Sequence, residues 1–204
     1  MTDPTDNFSR LIGYAFPAMV SGRVLGAAIS PLLFAHLPPL LIAMSPFLIH
    51  LVAVAPLVDP VVYFPIALVV TILQALIGFY FGNRFGQKAL DWVMERVPVP
   101  EKFVDWLLDL VRRTSMVAVF TFPGPVVATV AGVAGMRPKL FNWLVVPAQA
   151  FWVVAAYLLG EALFEYIAIA REFVVAYAIE LTGLTAALVG ARLAYKFWRK
   201  QRRR

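Results

Sequence analysis

The 204-residue sequence contains no cysteine, which removes disulfides, thiolate metal sites and thiol redox chemistry and is neutral about compartment. Charge is scarce as well. Asp, Glu, Lys and Arg make up 15% of the chain and apolar residues 61%, whereas soluble globular domains sit near about 25% and 45–50%. That balance excludes an ordinary soluble domain. Residues 24–83 carry one ionised side chain, Asp59, and residues 114–160 carry two, Arg137 and Lys139; a crossing helix needs only ~20 apolar residues. The length accommodates one bundle of about four to six membrane segments. Enzymatic signatures are missing too: there is no Gly-x-Ser-x-Gly elbow, no phosphate-cradling glycine loop and no His-Glu zinc helix. His36 and His50 stand apart, with no carboxylate pair near either in sequence. No catalytic activity, metal or cofactor is therefore expected.

The net charge of +6 is a property of one end. Arg192, Lys196, Arg199, Lys200, Arg202, Arg203 and Arg204 lie in the last thirteen positions, and without them eleven bases face twelve acids. A polybasic end directly after an apolar helix marks the cytoplasmic side of a membrane, where anionic lipid attracts it. Without a base-reading fold it gives no reason to expect nucleic acid as a partner. At the other end Asp3 and Asp6 precede any base, so a cleavable signal peptide is not expected.

Orientation can be read backwards from that tail. Residues 173–195 form an apolar span ending inside, and the acidic connector 161–172 is an external loop. Residues 140–160 return inward, with Arg137 and Lys139 at their cytoplasmic start. Residues 84–113 hold six bases and are also cytoplasmic. Residues 114–136 then begin and end on one side. A re-entrant hairpin meets that requirement, turning at Pro123-Gly124-Pro125, where two prolines remove amide donors and forbid a continuous helix. Each arm is ~15 Å at helical rise, about half the hydrocarbon thickness. A kinked span is the alternative, since prolines are tolerated in membrane helices.

The first half predicts a mirrored layout. Residues 61–83 span inward to Arg84. Residues 31–58, broken by Pro31, Pro38, Pro39, Pro46 and Pro56, form a second hairpin opening from outside, and residues 11–30 cross first despite Arg23. The expected architecture is all-α and integral to the membrane: a short N-terminal cytoplasmic segment (1–10), a single transmembrane domain (11–195) and a basic tail (196–204). Within it, two opposed re-entrant hairpins stand in an inverted-repeat arrangement. Phe103, Leu107, Leu110 and Val111 recur at helical spacing among charges, with Trp92 and Trp106 nearby. Residues 86–113 therefore read as an interfacial amphipathic helix divided at Pro98 and Pro100, with a charged linker as the alternative.

At this point the residues resemble a known family. Gly78-Phe79-Tyr80-Phe81-Gly82-Asn83-Arg84-Phe85-Gly86, then Phe122-Pro123-Gly124, Ala131-Gly132 with Met136, and Phe141-Asn142-Trp143 follow the pattern of the DedA family, which shares a domain with the eukaryotic VTT (SNARE-associated Golgi type) proteins. The resemblance covers roughly residues 30–160. It implies two hairpins meeting at mid-membrane and movement of phospholipid or polyprenyl-phosphate carriers between leaflets, in some members proton-coupled. The chain departs from the pattern at Phe120 and Val126, where the family places arginines, and its first hairpin lacks the family's acid.

Several residues are candidates for a lipid path. Asp59 is an ionised group near the membrane, or simply an exposed turn aspartate before proline. Glu180, eight residues into the last span, calls for a partner such as Arg23 or Arg192, or for a proton-handling role. Arg23, Gln74, Asn142 and Gln149 could line a polar route, while Asn and Gln also serve as interhelical hydrogen-bonding groups. Gly78, Gly82 and Gly86 form one smooth strip, and Gly132 and Gly135 with Ala128 another, both read as close helix packing. The leading expectation is a lipid-moving membrane protein of the bacterial inner membrane, with membrane lipids as partners and self-association compatible. A membrane organiser that keeps the fold without the charged site is the alternative, and a proton-coupled small-solute carrier the third.

Overall fold

The computed structural model describes residues 4–96, 101–122 and 124–201, and every regular element among them is helical. In chain order these are α1 (Pro4–Ala28), α2 (Ser30–His36), α3 (Pro38–Met44), α4 (Leu48–Val54) followed by a single 3₁₀ turn, α5 (Pro60–Phe85), α6 (Gln87–Arg96), α7 (Glu101–Thr121), α8 (Pro125–Val133), α9 (Pro138–Ala162), α10 (Phe164–Ala176) and α11 (Ala178–Gln201). Three helices are long and apolar enough to cross a bilayer, Asn7–Ala28, Pro60–Phe85 and Pro138–Ala162. They mark the chain as an integral membrane protein.

Prolines set the boundaries. Pro31, Pro38, Pro125 and Pro138 fall in the first turn of their helices, and Pro60 opens α5. The first-turn amide has no intrahelical acceptor, so its loss there costs nothing. Asp59 completes the start of α5: its Oδ1 accepts the Val61 amide at 2.7 Å. Among the described residues, Pro17, Pro65 and Pro147 sit beyond the first turn of an α-helix, one in each long span.

Between the spans lie short elements. Residues 31–58 are divided into three seven-residue helices and a 3₁₀ turn, each helix ~10 Å long. In the second broken stretch, α7 kinks at Thr114 (φ −140°, ψ 59°), where the Thr114 hydroxyl donates back to the Leu110 carbonyl at 3.1 Å. Such back-bonding bends helices. α7 ends at Thr121, and the nine-residue α8, which begins at Pro125, packs against it. Pro123, expected at this tip, and Pro98 and Pro100, expected to divide the interfacial helix, lie outside the described residues, as do Arg202, Arg203 and Arg204.

Three expectations are corrected. Residues 173–195 are not one straight span: α10 and α11 meet at Tyr177 with an 87° bend. Residues 161–172, expected as a loop, are helical except at Leu163. The helical stripe of residues 101–113 faces inward: Val104, Leu107 and Val111 are fully buried in a core with Val127, Val130 and Ala131, and Phe103 and Trp106 occupy the exposed side. Leu107 and Val111 of the expected stripe thus face the core, Leu110 packs against it, and Val104 takes the place expected of the adjacent Phe103. Helix also begins at Pro4 and continues to Gln201, so the segments expected to flank the membrane domain at each end are largely helical.

The chain forms two compact units, Met1–Met19 with Leu68–Ala155, and Val20–Ala67 with Ala156–Arg204. The first, the 68–155 unit, holds α6, α7 and α8; the second, the 20–67 unit, holds α2, α3, α4, α10 and α11. Each therefore contains one of the two broken stretches. In the 68–155 unit Phe79 stacks on Phe141 at 4.1 Å and Phe16 on Phe81 at 4.3 Å.

Candidate lipid-path site

The 68–155 unit is built on close backbone approach between α5 and α8. A β-carbon at Gly78 would lie 2.6 Å from the Pro125 carbonyl oxygen; one at Gly82 would overlap the Thr129 carbonyl and one at Gly132 the Phe79 carbonyl. These three glycines let the two helices touch through their main chains, the packing available where lipid removes any hydrophobic drive between helices. Gly86 and Gly135, expected in the same strips, do something else. Both have positive φ, +54° and +81°, with open space at the β-carbon. Gly135 ends α8 in a Schellman motif, in which the Met136 amide donates to Ala131 and the Gly135 amide to Gly132.

Helix ends left inside an apolar unit must still satisfy their carbonyls. At the end of α7 the Trp152 indole Nε1 donates to the Phe120 carbonyl at 2.8 Å; within α8 the Thr129 hydroxyl donates back one turn to the Pro125 carbonyl at 2.7 Å. Beside this break is a recess lined by Val119, Phe122, Gly124, Val127, Phe141 and Gln149. Its volume is about 10 Å³, room for about one water molecule. Phe120 leans on Phe151 with ring centroids 5.3 Å apart.

The candidate polar residues divide between the units. Gln74 on α5 and Gln149 on α9 are buried, and Gln149 faces the recess. Asn142 is exposed and its Nδ2 donates to the Tyr80 hydroxyl at 3.0 Å, joining α9 to α5. Arg23 belongs to the 20–67 unit, where its guanidinium lies 4.3 Å over the Phe47 ring. Asp59 is exposed and acts as the cap of α5. Glu180 is exposed in the first turn of α11, where a carboxylate complements the positive end of the helix dipole. The expected contact to Arg192 is ruled out by their separation on one helix, twelve residues or ~18 Å.

In the 20–67 unit the short helices are held by side chains from elsewhere in the fold. The Thr185 hydroxyl donates to the Ala28 carbonyl at 2.6 Å, the Leu32 amide donates to Thr182 Oγ1 at 3.1 Å, and the Tyr63 hydroxyl donates to the Leu51 carbonyl at 3.2 Å. A β-carbon on Gly160 would overlap the Val52 carbonyl, so α9 touches α4 through its backbone. At the Ser45–Phe47 break between α3 and α4, His50 Nδ1 pairs with the Ser45 carbonyl at 2.7 Å, and the buried Ser45 hydroxyl has no partner. Sequence reading missed this cluster, because Arg23 meets Phe47, and Gly26 meets Ser45, only in the folded unit. The one available signal was Arg23 itself, a lone cation in an apolar span.

No protein-family model, curated protein or solved structure matches the chain.

Proposed function

We propose that this protein lowers the barrier for a phospholipid or polyprenyl-phosphate carrier to pass between the leaflets of a bacterial inner membrane, with its C-terminus in the cytoplasm. The observation that carries the reading is that each compact unit holds a broken stretch of elements only ~10–14 Å long beside parts of the span-length helices α1, α5 and α9. Elements of half the hydrocarbon thickness that stop within it bring helix ends and their polar groups to mid-bilayer depth. Broken elements of this kind line the midplane substrate paths of inverted-repeat transporters. Gln149, which lines the recess of the 68–155 unit, and Arg23, over Phe47 in the 20–67 unit, are the side chains to test for such a role. The resemblance to the DedA pattern agrees with this.

Reconstitution into vesicles carrying fluorescent phospholipids on both leaflets tests it. Chemical quenching of the outer leaflet should continue beyond about half of the signal as inner-leaflet lipid emerges. Quenching that stops at half, as in empty vesicles and with several headgroups tried, sinks the proposal.

The rival reading, a membrane organiser that transports nothing, is favoured by the size of the recess, room for about one water and no headgroup, and by Phe120 and Val126 at the positions of the family's arginines. Arginines introduced at those two positions that confer no exchange on a silent protein support the rival.

A further inference from the structure

The break between α7 and α8 leaves polar groups that the helices satisfy only in part. The Phe122 amide donates to the Ala118 carbonyl, and the Trp152 indole takes the Phe120 carbonyl. Val119 lies between them, and the residue four positions on, whose amide would close its helical bond, is a proline with no N–H to give. On the far side of the break α8 starts without a side-chain cap at Gly124, so the first-turn amide of Val127 has no acceptor within its own helix. Val119 and Val127 both line the recess described above. Gln149 lines it too and is 6% exposed; among the described residues no hydrogen bond engages its side chain. Native structures rarely leave a buried amide unpaired, because its desolvation is then uncompensated.

The position and size of the recess narrow what can pair with it. Gln149 stands near the middle of α9 (Pro138–Ala162), with ~16–20 Å of helix on either side. In a crossing helix that is mid-bilayer depth, where no bulk water reaches polar groups. The end of α7 offers an acceptor, the start of α8 a donor, and the Gln149 amide both. A cation would satisfy only the acceptors and an anion only the donors, whereas water serves each. A volume of about 10 Å³ holds one water and excludes a headgroup.

We propose that the recess is a binding site for a single internal water, which Gln149 holds between the Val119 carbonyl and the Val127 amide. The inference goes beyond the lipid reading and stands without it. The water replaces the helical hydrogen bonds lost at the break, and the interruption persists at this depth with no charged side chain lining the recess.

X-ray pulse radiolysis of the full chain in dodecyl maltoside micelles tests the site, because hydroxyl radicals formed from a bound water oxidise the side chains beside it and mass spectrometry locates them. Phe141 lines the recess, Phe16 stacks on Phe81 elsewhere in the same unit, and both rings are buried. Phe141 should be oxidised well above Phe16. Gln149→Met, of similar length and without hydrogen-bonding groups, should lower the Phe141 label by about fivefold or more, the factor of one lost hydrogen bond. It should also lower the melting temperature, since the Val119 carbonyl and Val127 amide are then stranded. A dry recess gives the reverse, because removing an unpaired buried amide leaves stability unchanged or raises it. Labelling of Phe141 no greater than that of Phe16 overturns the site, and that comparison needs no variant. A label unchanged in Gln149→Met, or a melting temperature at or above wild type, overturns it as well. If Gln149→Met fails to fold, Gln149→Leu is read by the same criteria.

Discussion

Gly82 and Gly183 are the same residue type in two helices of one chain, and their surroundings are opposite. A β-carbon at Gly82 collides with the Thr129 carbonyl, whereas nothing lies within 4 Å of one at Gly183. Gly82→Ala should therefore destabilise the protein by about 1–3 kcal/mol, the cost of forcing packed backbones apart. Gly183→Ala should be neutral or stabilising by up to ~1 kcal/mol, the helix propensity of alanine over glycine. Thermal unfolding in detergent measures both, and equal shifts in melting temperature would show that α5 and α8 do not touch as described. A spacing of four residues made Gly78, Gly82 and Gly86 look alike in the sequence. It could not tell that Gly86 and Gly135 are needed for φ rather than for space, because both requirements produce the same letter.

At the scale of elements, what matters is where helices stop. Pro-rich stretches were readable as interruptions because proline lacks an amide and fixes φ, and the breaks at 37, 45–47 and 122–124 fall at or beside prolines. The bend at Tyr177 has no proline, and no local pattern announces it. The hairpin proposed for α7 and α8 has a direct test on this cysteine-free chain. Met136 is buried, so the probes belong on its exposed neighbour Arg137 and on exposed Arg113. Cysteines at these two positions should react with a membrane-impermeant maleimide from the same side. Labelling from opposite sides would make α7 and α8 a kinked crossing.

For the whole molecule, orientation rests on charge. With seven of eighteen bases in the last thirteen positions, the end of α11 should be cytoplasmic. A C-terminal alkaline phosphatase fusion made in bacteria should therefore be inactive, and a green fluorescent protein fusion bright; the reverse pattern would invert every side assigned from the tail. Division into two units, each with its own broken stretch, is a property of this scale as well. It assigns Gln74, Asn142 and Gln149 to the 68–155 unit and Arg23 to the 20–67 unit.

The sequence by itself determined that the chain lives in a membrane and roughly where its long spans lie, since those follow from counts of apolar residues against the thickness of a bilayer. It also marked the proline-bounded breaks in both halves, because proline acts on its own backbone and its nearest neighbours, but not the bend at Tyr177. Only the tertiary structure decided what each polar residue does. Asp59 became a helix cap, Asn142 a link to Tyr80, and Glu180 an exposed first-turn carboxylate. Arg23 became the cation stacked on Phe47. The reason is physical: apolar burial is a sum over residues and survives without knowledge of partners, whereas a hydrogen bond or a stacked cation has no meaning until the fold supplies the second group.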